Sequence, residues 1–188
     1  MSVGRLAPRA VIGGLFIGHG GQKLFGWFGG PGCAGTEGMM ESLQMRPAKL
    51  HALAAGVTET AGGALLAAGL ATPLAAASLT GVMATAIRKV HAPNGPWAAN
   101  GGWEYNVVLI AAVTSLAETG PGAISLDRYF GIERTGGRWA VAALATGVAA
   151  AFATMAAGQR GAATPAVEAA APIIAQEDVA GDPTTAGA

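Results

Sequence analysis

Apolar residues fall in blocks along this chain, and polar residues gather between the blocks or towards one end of each. A helix crossing a bilayer needs roughly 17–25 mostly apolar residues. Stretches that approach this pattern are residues 9–28, 48–70, 73–90, 104–117 and 138–157. The second has LHALAAGVTETAGGALLAAGL at its heart, the fourth (YNVVLIAAVTSLA) is short, and the fifth is rich in alanine. Pro73 opens the third, where its fixed φ suits a first turn. Arg5 and Arg9 precede the first block, but no A-x-A site follows it, so it reads as a retained helix and not as a signal peptide.

The connections alternate in length. Residues 29–47 form a long first loop, in which Thr36 is expected to cap a short helix carrying Met39, Met40 and Leu43 on one side and lying flat on the membrane. Ala71 and Thr72 leave almost no room for a loop, which predicts a tight antiparallel hairpin between the second and third helices. The third connection is turn-rich and contains Trp97 and Trp103, suited to a lipid interface. In the fourth, Ser125 is a natural cap and Asp127 falls in a first turn, where a carboxylate suits the helix dipole. Residues 1–130 are therefore read as a four-helix membrane bundle and 138–157 as an additional transmembrane helix. The Ala/Pro-rich residues 158–188 are read as a disordered tail. The predicted fold class is all-α, a polytopic membrane bundle.

Helices that alternate in direction define two ends. The end of the first helix offers His19, Gln22 and Lys23; the start of the second offers Lys49, His51 and Glu59. The end of the third offers Arg88, Lys89 and His91; the start of the fourth offers Glu104, Tyr105 and Asn106. All lie in the same half of the bilayer, and the other half is nearly free of charge. With a rise of about 1.5 Å per residue, Lys23 lies roughly 7 Å and His19 roughly 13 Å inside residue 28, and Glu59 lies roughly 12 Å inside residue 51. An ionisable group near the bilayer centre costs at least about 2.5–3.5 kcal/mol. Lysine and arginine can snorkel; the short Glu59 cannot, and Lys23 or a protonated His19 is its natural partner. Gly14 and Gly18 form a small-xxx-small face, Gly62 and Gly63 thin the second helix, and Gly20–Gly21 are expected to loosen the first beside His19.

Two readings of His19, Lys23 and Glu59 stand together: a buried ion pair that fixes helix packing, and a polar pocket for a ligand or proton. Arg88, Glu104 and Tyr105 are either further pocket groups or interface anchors.

Composition supports the membrane reading. The chain of 188 residues is 52% hydrophobic and 12% charged with zero net charge, and its mean hydropathy is +0.44. Soluble domains carry about 25% charged residues. Zero net charge argues against a nucleic-acid partner. Cys33 is alone and forms no internal disulfide. The three histidines match no metal spacing, which leaves a b-type haem as a minor alternative, and no nucleophile triad, phosphate loop or dinucleotide fingerprint occurs. Side-chain cations divide equally, with Arg5, Arg9, Arg128, Arg134 and Arg138 at one end and Arg46, Lys49, Arg88, Lys89 and Arg160 at the other. Charge therefore fixes no orientation, and a cytoplasmic N-terminus is preferred only because cations at the second end border the pocket.

Several ordered motifs resemble the DoxX family of membrane proteins: GGLFIGHGGQKLFG (13–26), GTEGMMESLQMRPA (35–48), ETAGGALLAAGL (59–70), GGWEYN (101–106) and GPGAISLD (120–127). The resemblance covers about residues 5–130 and implies a four-helix integral membrane bundle. It also implies similarity to the small membrane subunit of thiosulfate:quinone oxidoreductase. The polar positions that recur in these motifs map to His19, Lys23, Glu59, Glu104 and Tyr105.

The function expected on these grounds is that of a multi-pass cell-membrane subunit of a quinone- or sulfur-linked redox system. Its ligand-binding candidates are His19, Lys23, Glu59, Arg88, Glu104 and Tyr105; a quinone is the expected ligand and no metal is expected. Lys23 and Arg88 would hold ligand oxygens, and Glu59 or His19 would exchange protons. A redox or sulfur-metabolism protein is the expected partner, and small-residue helix faces allow a homo-oligomer. The alternative is a non-enzymatic membrane scaffold or carrier that recruits a partner protein or lipid through residues 29–47.

Overall fold

A computed structural model of the chain describes residues 3–163, and among them the structure is helical throughout, without a strand. Helix α1 spans Val3–Phe25. It ends at Phe25 and not at residue 28 because Gly26 adopts a left-handed φ of 74°, after which Trp27–Gly29 forms a separate 3-10 turn. It also starts well before residue 9, because Arg9 is not a flanking charge. Arg9 is 2% exposed and donates to the carbonyls of Ala67 at 3.1 Å and Ile124 at 2.6 Å and to that of Pro121.

Helix α2 spans Gly32–Ser42. Thr36 sits within it and does not cap it: its hydroxyl donates to Gly32 O at 2.7 Å and lies 3.2 Å from Lys23 O, which ties α2 to the end of α1. Helix α3 spans Ala48–Ala68 and stops at Gly69, φ 64°. Helix α4 follows at Thr72–Ala86, so the predicted tight hairpin forms, and a π-turn, Ile87–His91, extends it. Helix α5 spans Glu104–Thr119. Helix α6, Leu126–Tyr129, is a single turn whose cap is Ser125, accepting from Arg128 N at 3.3 Å.

Helix α7 spans Gly137–Ala163 and so runs beyond the expected end at residue 157. Residues 158–163, expected to begin a structureless tail, are helical because they pack on the segment before α3, where Arg46 N donates to Gly158 O at 3.1 Å. The rest of the expected tail lies outside the described residues.

Helices α1, α3, α4 and α5 pack in sequence, and α5 returns to α1; α2 covers α1 and α3. Helix α7 is not peripheral, since it packs along α4 and also touches α5. The core joins Phe16, Leu66, Leu79, Val113 and Ala117 with Ala143 of α7. The close approach of α1 and α3 uses Gly13 and Gly63, where a Cβ on Gly63 would meet Gly13 O at 2.6 Å. Gly14 borders open space and Gly18 touches only Phe28, so the small-residue face expected there is displaced by one position on the helix. Gly20 and Gly21 do not loosen α1. They admit Thr60 and Trp27 against its backbone, and the helix continues through them.

The outer surface is apolar along much of its length. Val11, Leu50, Val57, Leu74, Val108, Val141 and Phe152 are all exposed. Aromatic residues mark both ends: Phe25, Trp27, Phe28 and Trp97 at one, Tyr129 and Phe130 at the other. A contiguous apolar surface marks a site of contact with lipid or protein. Among the described residues, Gly137–Gly161 in α7 is the one helix long and apolar enough to cross a membrane by itself, with mean hydropathy 1.8. Helices α4 and α5 are shorter, and α1 and α3 carry charges within their length.

Candidate functional site

At the end where α1 and α7 stop and α3 and α5 start, the helices enclose a half-open cavity of about 810 Å³. Helix periodicity selects its walls. On α3 the lining positions are His51, Ala54, Ala55, Thr58 and Glu59; on α4 they include Ala77, Ser78, Gly81, Val82, Thr85 and Ala86, with Lys89 and His91 following on the π-turn. The α3 set repeats at the three- and four-residue intervals of one helix face, and most of the α4 positions do so too. Helix α1 supplies Leu15, Phe16, His19 and Lys23, α2 adds Met39 and Met40, and α5 adds Tyr105, Asn106 and Leu109.

Polar groups concentrate towards the open end. Lys23 Nζ donates to Glu59 Oε2 at 2.6 Å, with side chains 21% and 4% exposed. The pair spans the α1–α3 contact, and Gly56 makes room for it: a Cβ there would meet Leu24 Cγ at 2.6 Å and Lys23 Cβ at 3.4 Å. His19, one turn deeper on α1, is exposed and its Nδ1 lies 3.1 Å from Gln22 Oε1. In the tautomer whose Nδ1 donates to that oxygen, Nε2 is an acceptor. Across the cavity, Lys89 Nζ donates to Leu43 O at 2.9 Å, His91 Nδ1 to Gly101 O at 2.8 Å, and Asn106 Nδ2 to Met83 Sδ at 3.3 Å. Deeper in the bundle the walls are Phe16, Ala77, Val82 and Leu109. The space is therefore amphipathic, with a cationic and hydrogen-bonding mouth and an apolar body. Among the described residues no group of three or more His, Cys, Asp or Glu side chains is placed to hold a metal ion.

Residues 4–92 match the family model described as DoxX. Residues 4–92 therefore form a DoxX-family segment. Members of that family are membrane proteins. The match covers a little under half of the chain and takes in α1 to α4 with the π-turn; α5 and α7, which complete the cavity, lie beyond it. No curated protein and no solved structure matches the chain.

Four of the six candidate residues, His19, Lys23, Glu59 and Tyr105, line one cavity. The other two do not. Glu104 turns into the preceding loop, where Oε2 accepts from Ala98 N at 2.9 Å. Arg88 is exposed and off the lining face. Lys89 stands in the cavity instead; three- and four-residue steps from Thr85 reach both Arg88 and Lys89, so spacing in the sequence does not choose between them. The π-turn that carries Lys89 and His91 has no comparable mark in the sequence. Such turns recur at functional sites.

Proposed function

We propose that this protein spans the cell membrane several times and acts as the membrane subunit of a quinone- or sulfur-linked redox system, holding an amphipathic, quinone-like ligand in its cavity. The observation that carries this reading is the Lys23–Glu59 pair, 2.6 Å apart, at the polar mouth of an otherwise largely apolar space of about 810 Å³. The exposed apolar surface and the aromatic residues at both ends support several crossings.

The donor set fits such a ligand. A ring oxygen needs N–H or O–H donors at one end and a greasy channel for its tail. Lys23 has two N–H groups beyond the one given to Glu59, Lys89 likewise has two beyond the one given to Leu43, and Tyr105 contributes a hydroxyl. Lys89 fills the role expected of Arg88. The ligand supplies the electron chemistry when bound, with a partner protein as the electron source or sink. The chain orients the ligand and handles protons. His19 Nε2 accepts a proton, and Glu59 Oε1 is the carboxylate oxygen left by Lys23.

The test is titration of the detergent-purified chain with a short-tailed quinol analogue. Wild type binds, and the Lys23→Met/Glu59→Gln variant binds at least about tenfold more weakly, the worth of one charge-assisted hydrogen bond. Equal binding by the two proteins rules the reading out.

A further inference from the structure

At the opposite end, away from the cavity, a second groove of about 390 Å³ runs between α4 and the start of α7. Its walls are apolar along Pro73, Leu74 and Ala142 and reach Thr146, roughly 10 Å deeper than Trp139 by helical rise. The shallow end is cationic. The Arg134 guanidinium, which lines the groove, lies 5.0 Å from the Trp139 ring centre, and that of Arg138 lies 5.7 Å from the same ring.

Neither arginine has a carboxylate within 4.0 Å among the described residues, although Arg128 close by is paired with Glu133 at 3.2 Å. Asp127 also borders the groove, but its oxygens are taken by Ala71 N, Thr72 N and the Thr72 hydroxyl at 2.7–3.0 Å. Glu118 forms no ion pair with either arginine within that distance. Two uncompensated guanidiniums held on an indole therefore stand above an apolar furrow that opens on the outer surface.

We propose that this groove binds an anionic phospholipid, its phosphate held between Arg134 and Arg138 and the first part of an acyl chain lying along Pro73, Leu74 and Ala142. A phosphodiester suits the planar fork of arginine, and basic residues beside a membrane attract anionic headgroups. The groove and the ligand cavity share Ala77 in their walls, but the two arginines and Trp139 border the groove end alone. A zwitterionic headgroup brings its own cation to the two arginines and is disfavoured.

The experiment is native mass spectrometry of the full chain with phosphatidylglycerol and phosphatidylcholine of identical acyl chains at equal concentration. Wild type retains phosphatidylglycerol preferentially. Arg134→Gln/Arg138→Gln loses roughly tenfold of that preference. Arg46→Gln/Lys49→Gln, which removes the same charge at the other end, keeps it. Ala142→Leu fills the groove with both arginines in place and also lowers phosphatidylglycerol retention. The proposal is overturned if wild type holds the two lipids equally or if the arginine variant keeps the preference. It is also overturned if the wild type is a dimer that the arginine variant separates while lipid retention stays unchanged, which would assign the surface to a second copy of the chain.

Discussion

Asp127 closes the N-terminus of α4 from 55 residues away, accepting from Thr72 N at 3.0 Å and from the Thr72 hydroxyl at 2.8 Å, with Ala71 N completing the set at 2.7 Å. The carboxylate is 1% exposed. On the same face of the bundle Arg9 joins the last turn of α3 to the loop after α5 through the carbonyls of Ala67 and Ile124. One carboxylate and one guanidinium therefore bind the α3–α4 hairpin to the chain that follows α5.

Removing this cap is costly. Asp127→Ala is expected to destabilise by about 3 kcal/mol, since hydrogen bonds to a charged group contribute about 1.5–3 kcal/mol and backbone donors are left buried. Asp127→Asn, which keeps one acceptor, should fall between the two. Thermal unfolding in detergent measures both, and an unchanged midpoint for Asp127→Ala would show that the cap contributes nothing.

The Lys23–Glu59 pair predicts strong coupling. Lys23→Met leaves the 4%-exposed carboxylate without its partner, at a cost of about 3–5 kcal/mol. The double variant Lys23→Met/Glu59→Gln should be more stable than Lys23→Met alone. A double-mutant cycle in detergent reads this coupling, and additive effects would contradict it.

Glycine substitutions separate the observed packing seam from the expected one. Gly63→Ala forces a Cβ to within 2.6 Å of Gly13 O and should destabilise by about 1–3 kcal/mol. Gly14→Ala, with open space around it, should be neutral or slightly stabilising. The same unfolding measurement ranks the two, and the reverse order would place the α1–α3 contact elsewhere.

Much of this architecture was legible in the sequence because its physical cause is local. Apolar blocks give helices, the short 71–72 link gives the hairpin, and alternation places His19, Lys23 and Glu59 at one end. What the sequence hid depends on distant partners. Arg9 reads as a flanking cation until its carbonyl acceptors on α3 and after α5 are known, and Asp127 reads as a dipole charge for its own helix although it caps another. Gly13 rather than Gly14 faces α3, a difference of one residue that periodicity does not resolve on a helix with glycines at both positions. Alanine-rich α7 gave no sign that Gly147 and Gly158 fit it against α4 and the 45–51 segment.

Neighbouring cations provide a test of the cavity wall. Lys89→Met should weaken binding of a quinol analogue by roughly tenfold, the worth of one charge-assisted hydrogen bond. Arg88→Met, at an exposed position off the lining face, should leave it unchanged. Isothermal titration of both variants checks the assignment, and equal losses would mean that charge near the mouth matters and position does not.

The most direct measurement is photolabelling of the full chain in lipid nanodiscs with a quinone analogue that carries a diazirine at the end of its tail, followed by peptide mapping. Adducts are predicted on Phe16, Val82 and Leu109, and excess unlabelled analogue should abolish them. Labelling confined to the outward-facing Val11, Val57 and Val108, or labelling that competitor leaves intact, would mean that the tail stays in bulk lipid and the cavity holds no such ligand.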